Sequence, residues 1–179
     1  MTVTIEPAPV PAAPLAALKA YLAISLHEED AALTGLLQAA SEAAERYLGQ
    51  LLIARTVREV LGARRAWQRL AIRPVSAITT VEGLPAEGAA FTLPVEGYAV
   101  DIDGGGTGLV RVLNPGAAGR VRIGYTAGLA SDVDGVPEAI RHGIVRLAGD
   151  YHARREGLEA EPPASVTALW RPWRQVRLS

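Results

Sequence analysis

Hydrophobic residues recur at helical spacing in three segments, two near the start of the chain and one near its end. The longest of these segments spans residues 27 to 48, with apolar positions along one face and polar positions along the other. The apolar positions are Leu33, Leu36, Leu37, Ala40, Ala44, Tyr47 and Leu48. Ser25 and Glu28 have the capping-box spacing, and Gly49 is placed for a left-handed C-cap. The pattern predicts a helix over residues 27–48.

Two further helices flank the middle of the chain. Leucines at helical spacing predict the first over residues 15–26, and an amphipathic pattern opened by Pro137 predicts the other over residues 137–156. Proline is favoured there because the first turn of a helix leaves its amides unpaired anyway. Residues 164–170 are a candidate for one more short helix. Together these segments predict a small helical bundle.

Between the helices the period changes to two, which is typical of half-buried strands. Turns rich in Gly and Pro separate six such runs, as expected for an antiparallel sheet. The runs are residues 56–61, 67–72, 76–81, 98–102, 109–113 and 120–125. We therefore predict an α+β fold in which residues 55–125 form an antiparallel β insertion.

The organisation that follows is one domain over residues 1–179. Its helical core comprises residues 15–50 and 137–156, and residues 160–179 form an extended C-terminal interaction tail. Residues 1–14 are rich in proline, which favours a flexible, extended arm.

Composition narrows the class of protein. The chain is 49% hydrophobic and 21% charged, which is typical of a globular protein that folds by ordinary burial. It has no Cys, so disulfides, thiolate metal sites and Cys nucleophiles are excluded. The apolar N-terminal segment is interrupted by prolines and has no basic leader, so we expect neither a signal peptide nor a membrane span, and we expect synthesis in a cytoplasm.

Charge is unevenly distributed although the formal net charge is only −1. Residues 1–50 are mainly acidic, residues 51–75 carry six Arg against Glu59, and residues 82–103 carry five acids and no base. Such blocks suit contact between neighbouring copies or with a partner, although a merely solvated surface would look the same. The candidate interface residues are Glu42, Glu45, Arg55, Arg58, Arg64 and Arg65.

The segments that most resemble catalytic or metal sites lack residues that such sites require. Asp101 to Gly108 is rich in Gly, but a strand rather than a helix is predicted after it, so a hairpin turn is favoured over a phosphate loop. Asp132 to Gly135 lacks the remaining oxygen ligands of a calcium loop and more simply caps the helix at Pro137. The three His are scattered, and no nucleophile or zinc motif occurs. We expect no catalytic residue, no cofactor and no metal.

The end of the chain is basic and aromatic. Trp and Arg dominate binding hot spots, so this segment is a candidate partner anchor. The residues concerned are Leu169, Trp170, Arg171, Pro172, Trp173, Arg174 and Arg177. Two alternatives stay open: the segment could fold back on its own domain, or the Arg-rich stretches could bind nucleic acid in an accessory protein of a phage or prophage.

Several short strings, taken in order, carry a family resemblance. They are Leu18-Lys19-x-Tyr21-Leu22, Glu28-Glu29-Asp30, Glu45-x-x-Leu48-Gly49, Arg55-Thr56, Arg73-Pro74-Val75-x-x-Ile78, Val81, Val121-x-Ile123-x-Tyr125-x-Ala127-Gly128, Val136-Pro137-x-x-Ile140 and Tyr151-x-x-Arg154-Arg155-Glu156. Over residues 15–175 the chain resembles the head–tail connector (adaptor) family of tailed phages, including its relatives in phage-like gene transfer agents. The β insertion is larger than in the shortest members, and the Pro-rich arm has no counterpart.

This resemblance implies a structural virion protein rather than an enzyme. It implies a homo-oligomeric, dodecameric ring that joins the portal at the capsid vertex to a downstream stopper or tail protein, with DNA passing through the lumen without sequence recognition. It also implies that the C-terminal region engages the portal and that no membrane is involved. The charge blocks then become candidate flanks of the ring contact, because a closed ring needs two complementary patches on each copy.

Overall fold

Four helices and eight strands form along residues 2–154 and 161–175, the part of the chain that the computed structural model describes. The helices are α1 (Leu15–Leu22), α2 (Asp30–Leu48), α3 (Glu138–Ala153) and α4 (Ala164–Trp170). The strands are β1 (Thr2–Ile5), β2 (Arg55–Gly62), β3 (Gln68–Arg69), β4 (Val75–Pro85), β5 (Phe91–Thr92), β6 (Tyr98–Ile102), β7 (Gly108–Val112) and β8 (Ala118–Ala127). The predicted α+β class is confirmed.

The chain divides into two compact units. Residues 2–7 and 54–129 form one, here called the β lobe, and residues 8–53, 130–154 and 161–175 form the other, here called the helical unit. The chain thus leaves the helical unit after residue 53 and returns to it at residue 130.

The β lobe contains two antiparallel sheets. The larger has the strand order β1-β2-β8-β4-β5 and the smaller the order β3-β7-β6. Alternate residues of β2 and β8 point into the core, as the period-two pattern predicts. The fully buried positions of these two strands include Val57, Glu59, Val121, Ile123 and Tyr125.

The first strand was not expected, because the arm was predicted to be extended and flexible. Thr2–Ile5 pairs antiparallel with β2, from Thr2 opposite Val60 to Ile5 opposite Val57. The physical reason lies in the composition of the arm: its prolines begin only at Pro7, and the preceding Thr-Val-Thr-Ile run is β-branched throughout. Such residues fit an edge strand well.

The core of the helical unit is built mainly from Leu, Ile and Ala. Buried residues on α2 and α3 face one another, with Leu18 of α1 and Val166 of α4 completing the layer. The α2 and α3 positions are Leu33, Leu37, Ala40, Ala44, Leu48, Ile140, Ile144, Leu147 and Ala148. Because Ala occupies three of these nine positions, the helix axes can approach closely there.

Helix ends differ from the predicted bounds mainly between α1 and α2. The first helix ends at Leu22, where Ala23 takes a left-handed conformation with φ 56°, and α2 begins at Asp30 without a side-chain cap. The Ser25 capping box is therefore not used. The predicted C-cap is confirmed, since Gly49 has φ 70° and its amide donates to the Glu45 carbonyl.

Candidate interaction sites

The short helix α4 places one predicted interface residue in the core. Trp170 is 0% exposed, and its Nε1 donates to the Ile140 carbonyl at 3.2 Å. Its ring lies 5.8 Å from that of Tyr47, and a Cβ added at Gly143 would collide with it. The sequence left open whether this segment folds back on its own domain. Trp170 does so, and it holds α4 against α2 and α3.

The residues just after Trp170 form an exposed platform. Arg171, Pro172, Trp173 and Arg174 are exposed, and Leu169 is half-buried; Trp173 is 39% exposed. Two hydrogen bonds fix the backbone, from Gln50 Nε2 to the Trp173 carbonyl and from the Gln175 amide to the Leu48 carbonyl, both at 2.9 Å. The remaining predicted residue, Arg177, lies outside the described residues.

A basic groove adjoins this platform. The Arg174 guanidinium stacks over the Tyr47 ring at 5.0 Å, and Arg46 and Thr167 line the same open groove of about 390 Å³. Glu161 adds one acidic group at its edge. Two arginines beside an aromatic ring suit an acidic or aromatic side chain of a protein partner.

Several of the six candidate ring-interface residues already have partners within their own unit. Glu45 Oε1 accepts from the Leu52 amide at 2.9 Å, and Arg58 lies 3.5 Å from Glu6, the residue after β1. Arg55 is half-buried on β2. The exposed members are Arg58, Glu42, which accepts from Gln38 at 3.2 Å, and Arg64 and Arg65 after β2.

One surface residue that the sequence analysis did not single out is Trp67. It is 45% exposed, and the Arg111 guanidinium stacks on its ring at 4.6 Å. A Trp within the Arg-rich stretch was a signal for it, but the pairing with Arg111 depends on the contact between β3 and β7.

The loops that most resembled ligand sites are structural turns. Asp103 Oδ1 accepts from the amides of Gly105 at 2.9 Å and Thr107 at 2.8 Å within the predicted hairpin of β6 and β7. The Thr107 amide is the main cause of the lowered pKa of Asp103. Asp132 likewise accepts from the Gly135 amide at 3.0 Å, so it stabilises its own turn rather than capping α3.

The described part of the chain shows no metal cluster. Nowhere in it do three or more His, Asp or Glu side chains group as ligands. His27 lies 2.9 Å from Asp30, and His152 lies 3.6 Å from Glu29. None of the helices within the described ranges is long and apolar enough to cross a membrane.

A buried carboxylate is the other feature that sequence reasoning missed. Glu59 is fully buried on β2, and its Oε2 accepts from the Tyr125 hydroxyl and from the Ala71 amide, both at 2.9 Å. The strand alternation places Glu59 on the same face as Val57 and Leu61, which was a signal for its burial, but its charge favours an exposed position. Its hydrogen bonds tie β8 and the segment before β4 to β2, which indicates a structural role.

Solved structures match this chain over its whole length. Among them are the neck of an empty gene transfer agent particle computed with C6 symmetry (TM-score 0.79), the virion of a native gene transfer agent particle (0.77) and the neck of a native particle computed with C12 symmetry (0.77). Each is 30% identical to this chain, and the match covers 100% of this chain and 98% of the other. Neither protein-family models nor curated proteins give a match.

Proposed function

Because the chain belongs to the head–tail connector (adaptor) family, among the neck proteins of gene transfer agents, we propose that it joins the portal to the tail of a phage-like particle. It acts as a structural component of the virion neck, in a ring through which DNA passes without sequence recognition. Its subunits are made in the bacterial cytoplasm and assemble there, with the portal on one side of the ring and a stopper or tail protein on the other.

The observation that carries this proposal is the end-to-end match with the neck structures. Both chains are covered almost completely, so the likeness includes both units and the C-terminal platform rather than one common substructure. Two of the matched structures were computed with sixfold or twelvefold symmetry, which supports a ring. A dodecamer fits both symmetries, since twelvefold symmetry contains sixfold symmetry.

The C-terminal platform is the part of the helical unit best suited to the portal. It presents Trp173, Arg171 and Arg174 in the open, while hydrogen bonds to α2 and Gln50 hold its backbone. A fixed backbone loses little entropy on binding, and exposed Trp and Arg are the residues that contribute most to protein interfaces. We therefore assign the portal contact to residues 171–174 and assign Trp170 to their support.

Removal of the gene tests the function as a whole. Particles made without this protein should contain filled heads and free tails but few joined particles, as counted by electron microscopy. Complementation with the wild-type chain should restore them. Normal joining without the chain would refute a role at the junction.

The platform is tested by Trp173→Ala combined with Arg174→Ala. This variant should keep a nearly unchanged melting temperature, because both side chains are exposed. It should nevertheless lower the fraction of joined particles and the binding of the purified chain to portal. The matched control is Phe91→Ala, which removes a ring of similar exposure, 37%, from the β lobe. Equal losses in both variants would argue against the platform.

A further inference from the structure

We propose that neighbouring copies in the ring join through an aromatic, basic face of the β lobe and an acidic loop of the helical unit of the next copy. This inference rests on the proposed function, since it specifies a contact within the ring. The two surfaces are called here the Trp67 face and the Leu26 loop.

The Trp67 face is the outer side of the three-stranded sheet. Residues directly opposite one another in antiparallel strands share a face, and so do residues two apart. Leu109 lies opposite both Arg69 and Asp101, and Arg111 lies opposite Ala99, whereas Val110 and Val112 point into the core. With Trp67 stacked on Arg111, the face has an apolar centre of Trp67, Leu109 and Ala99.

Cations surround this apolar centre. Arg69 and Arg111 belong to the face itself, and Arg64 and Arg65 are exposed in the loop that leads to Trp67. The acidic groups near them are Asp101, on the same face, and Asp103, which lies close enough to Arg69 for that cation to lower its pKa. The face is therefore positive, with a half-exposed Trp and Arg pair of the kind that anchors interfaces.

The Leu26 loop, residues 23–29 between α1 and α2, has the complementary composition. Leu26 is 66% exposed, and Glu28 and Glu29 are exposed beside it. The nearby cation is Lys19, but its Nζ is engaged by the Leu26 carbonyl at 2.8 Å and by Asp30 at 2.6 Å. His27 also pairs with Asp30, and His152 lies 3.6 Å from Glu29.

The same hydrogen bonds give the loop a defined shape before any partner binds. Lys19 joins the end of α1 to the Leu26 carbonyl and to the first residue of α2. A loop that is already ordered pays less conformational entropy on association. An apolar tip with two adjacent carboxylates can then insert against Trp67 while its charges meet the surrounding arginines.

A second copy of the chain is the occupant that these features favour. Rings of sixfold or twelvefold symmetry require a heterologous contact, in which two different patches of one chain meet in neighbouring copies. The Trp67 face and the Leu26 loop are two such patches, opposite in charge and each with an exposed apolar centre. Another neck protein presenting an acidic segment is the competing occupant.

Cysteine cross-linking in intact particles tests the contact, and the Cys-free chain gives no background. Ser25→Cys places a thiol within the Leu26 loop, and Ala66→Cys places one next to Trp67; both positions are exposed. A short thiol cross-linker should link neighbouring copies into a ladder of oligomers. The control combines Ser25→Cys with Ala77→Cys instead of Ala66→Cys. Ala77 pairs with Thr126 near one end of β8, whereas Gly62, which precedes the loop that leads to Trp67, pairs with Arg120 near the other end. That pair should give no ladder.

Charge reversal provides a second readout. Arg64→Glu with Arg65→Glu, or Glu28→Arg with Glu29→Arg, should each lower the fraction of joined particles at least about tenfold, because like charges then meet. A variant that combines all four substitutions should recover most of the joined particles, because opposite charges meet again.

The outcomes separate the contact from the function. The proposal is supported if a ladder forms with Ser25→Cys and Ala66→Cys but not with the control pair, and if the variant with all four charge reversals recovers joined particles. The contact is refuted if the protein is present in particles but forms no ladder, forms an equal ladder with the control pair, or is linked to another protein instead. In each of these cases the proposed neck function stands. If the protein is absent from purified particles, the proposed function fails and the contact fails with it.

Discussion

The β lobe and the helical unit close their cores by different means. In the β lobe, strands from several parts of the chain are paired in register, and a buried carboxylate with its two donors joins them. In the helical unit, three helices form a layer, and one Trp from a short fourth helix completes it. The β lobe thus depends on pairing between distant strands, whereas the helical unit depends on packed apolar side chains, of which Trp170 is the largest that is fully buried.

The largest expected effect comes from Trp170→Ala, which tests how much of the packing in the helical unit depends on its largest buried side chain. Removing a fully buried Trp should lower the free energy of unfolding by about 3–5 kcal/mol. Chemical denaturation followed by circular dichroism measures it. The control is Trp173→Ala, which removes the same type of side chain from an exposed position three residues after Trp170. A similar loss in both variants would show that the burial of Trp170 does not determine the loss of stability.

In the β lobe the corresponding test is Glu59→Ala. It leaves the Tyr125 hydroxyl and the Ala71 amide without their buried acceptor, which should cost about 1–3 kcal/mol of unfolding free energy. Glu59→Gln keeps one acceptor oxygen and should lose less. Glu87→Ala, at an exposed loop position, should stay within about 0.5 kcal/mol of wild type. A neutral Glu59→Ala would show that strand pairing alone closes the β lobe.

Two helical glycines sharpen the account of the helical unit. Gly143→Ala places a Cβ against the Trp170 ring, and overpacking should outweigh the gain in helix propensity, for a net loss of about 1 kcal/mol. Gly35→Ala on α2 meets no atom within 4 Å, so it should stabilise by about 0.5–1 kcal/mol. Thermal unfolding of both variants measures the difference. Equal shifts in melting temperature would show that the Trp170 ring can move to accommodate a Cβ at position 143.

The smallest expected effect is a pH dependence at the α1–α2 connection. Hydrogen bonds from Lys19 and then from His27 lower the pKa of Asp30 below its ordinary value of 3.8. A lowered carboxylate pKa contributes stability above 3.8 that is lost as pH falls through the pKa of the folded state. Asp30→Asn should therefore be less stable than wild type near neutral pH, with the gap closing in acid. A gap that persists unchanged at low pH would exclude this ionisation as its cause.

Local patterns predicted much of the fold. The period of α2, the Gly49 cap and the hairpin between β6 and β7 all depend on residues close in sequence, whose preferences act before tertiary contacts form. Most of the predicted strands form for the same reason, although the run over residues 67–72 is reduced to β3 and β5 was not predicted. By contrast, β1 was missed because the prolines that follow it dominate the composition of the arm.

The candidate site was less predictable because it depends on distant residues. The periodicity of a seven-residue helix cannot say whether Trp170 meets its own domain or a partner. Trp170 is buried because it contacts Tyr47 and because Gly143 has no side chain to occupy the space of its ring. Both residues are far from Trp170 in sequence. Similarly, Trp67 gains its Arg111 neighbour only when β3 pairs with β7.

The return of the chain to the helical unit after residue 130 has a consequence for synthesis on the ribosome. All strands of the β lobe have been translated before α3 begins, so this lobe can fold while the first two helices still lack their partners. The helical unit closes only when α4 delivers Trp170, immediately before the exposed platform emerges. A nascent chain therefore exposes the platform of residues 171–174 only when the last helix of its core has also been made.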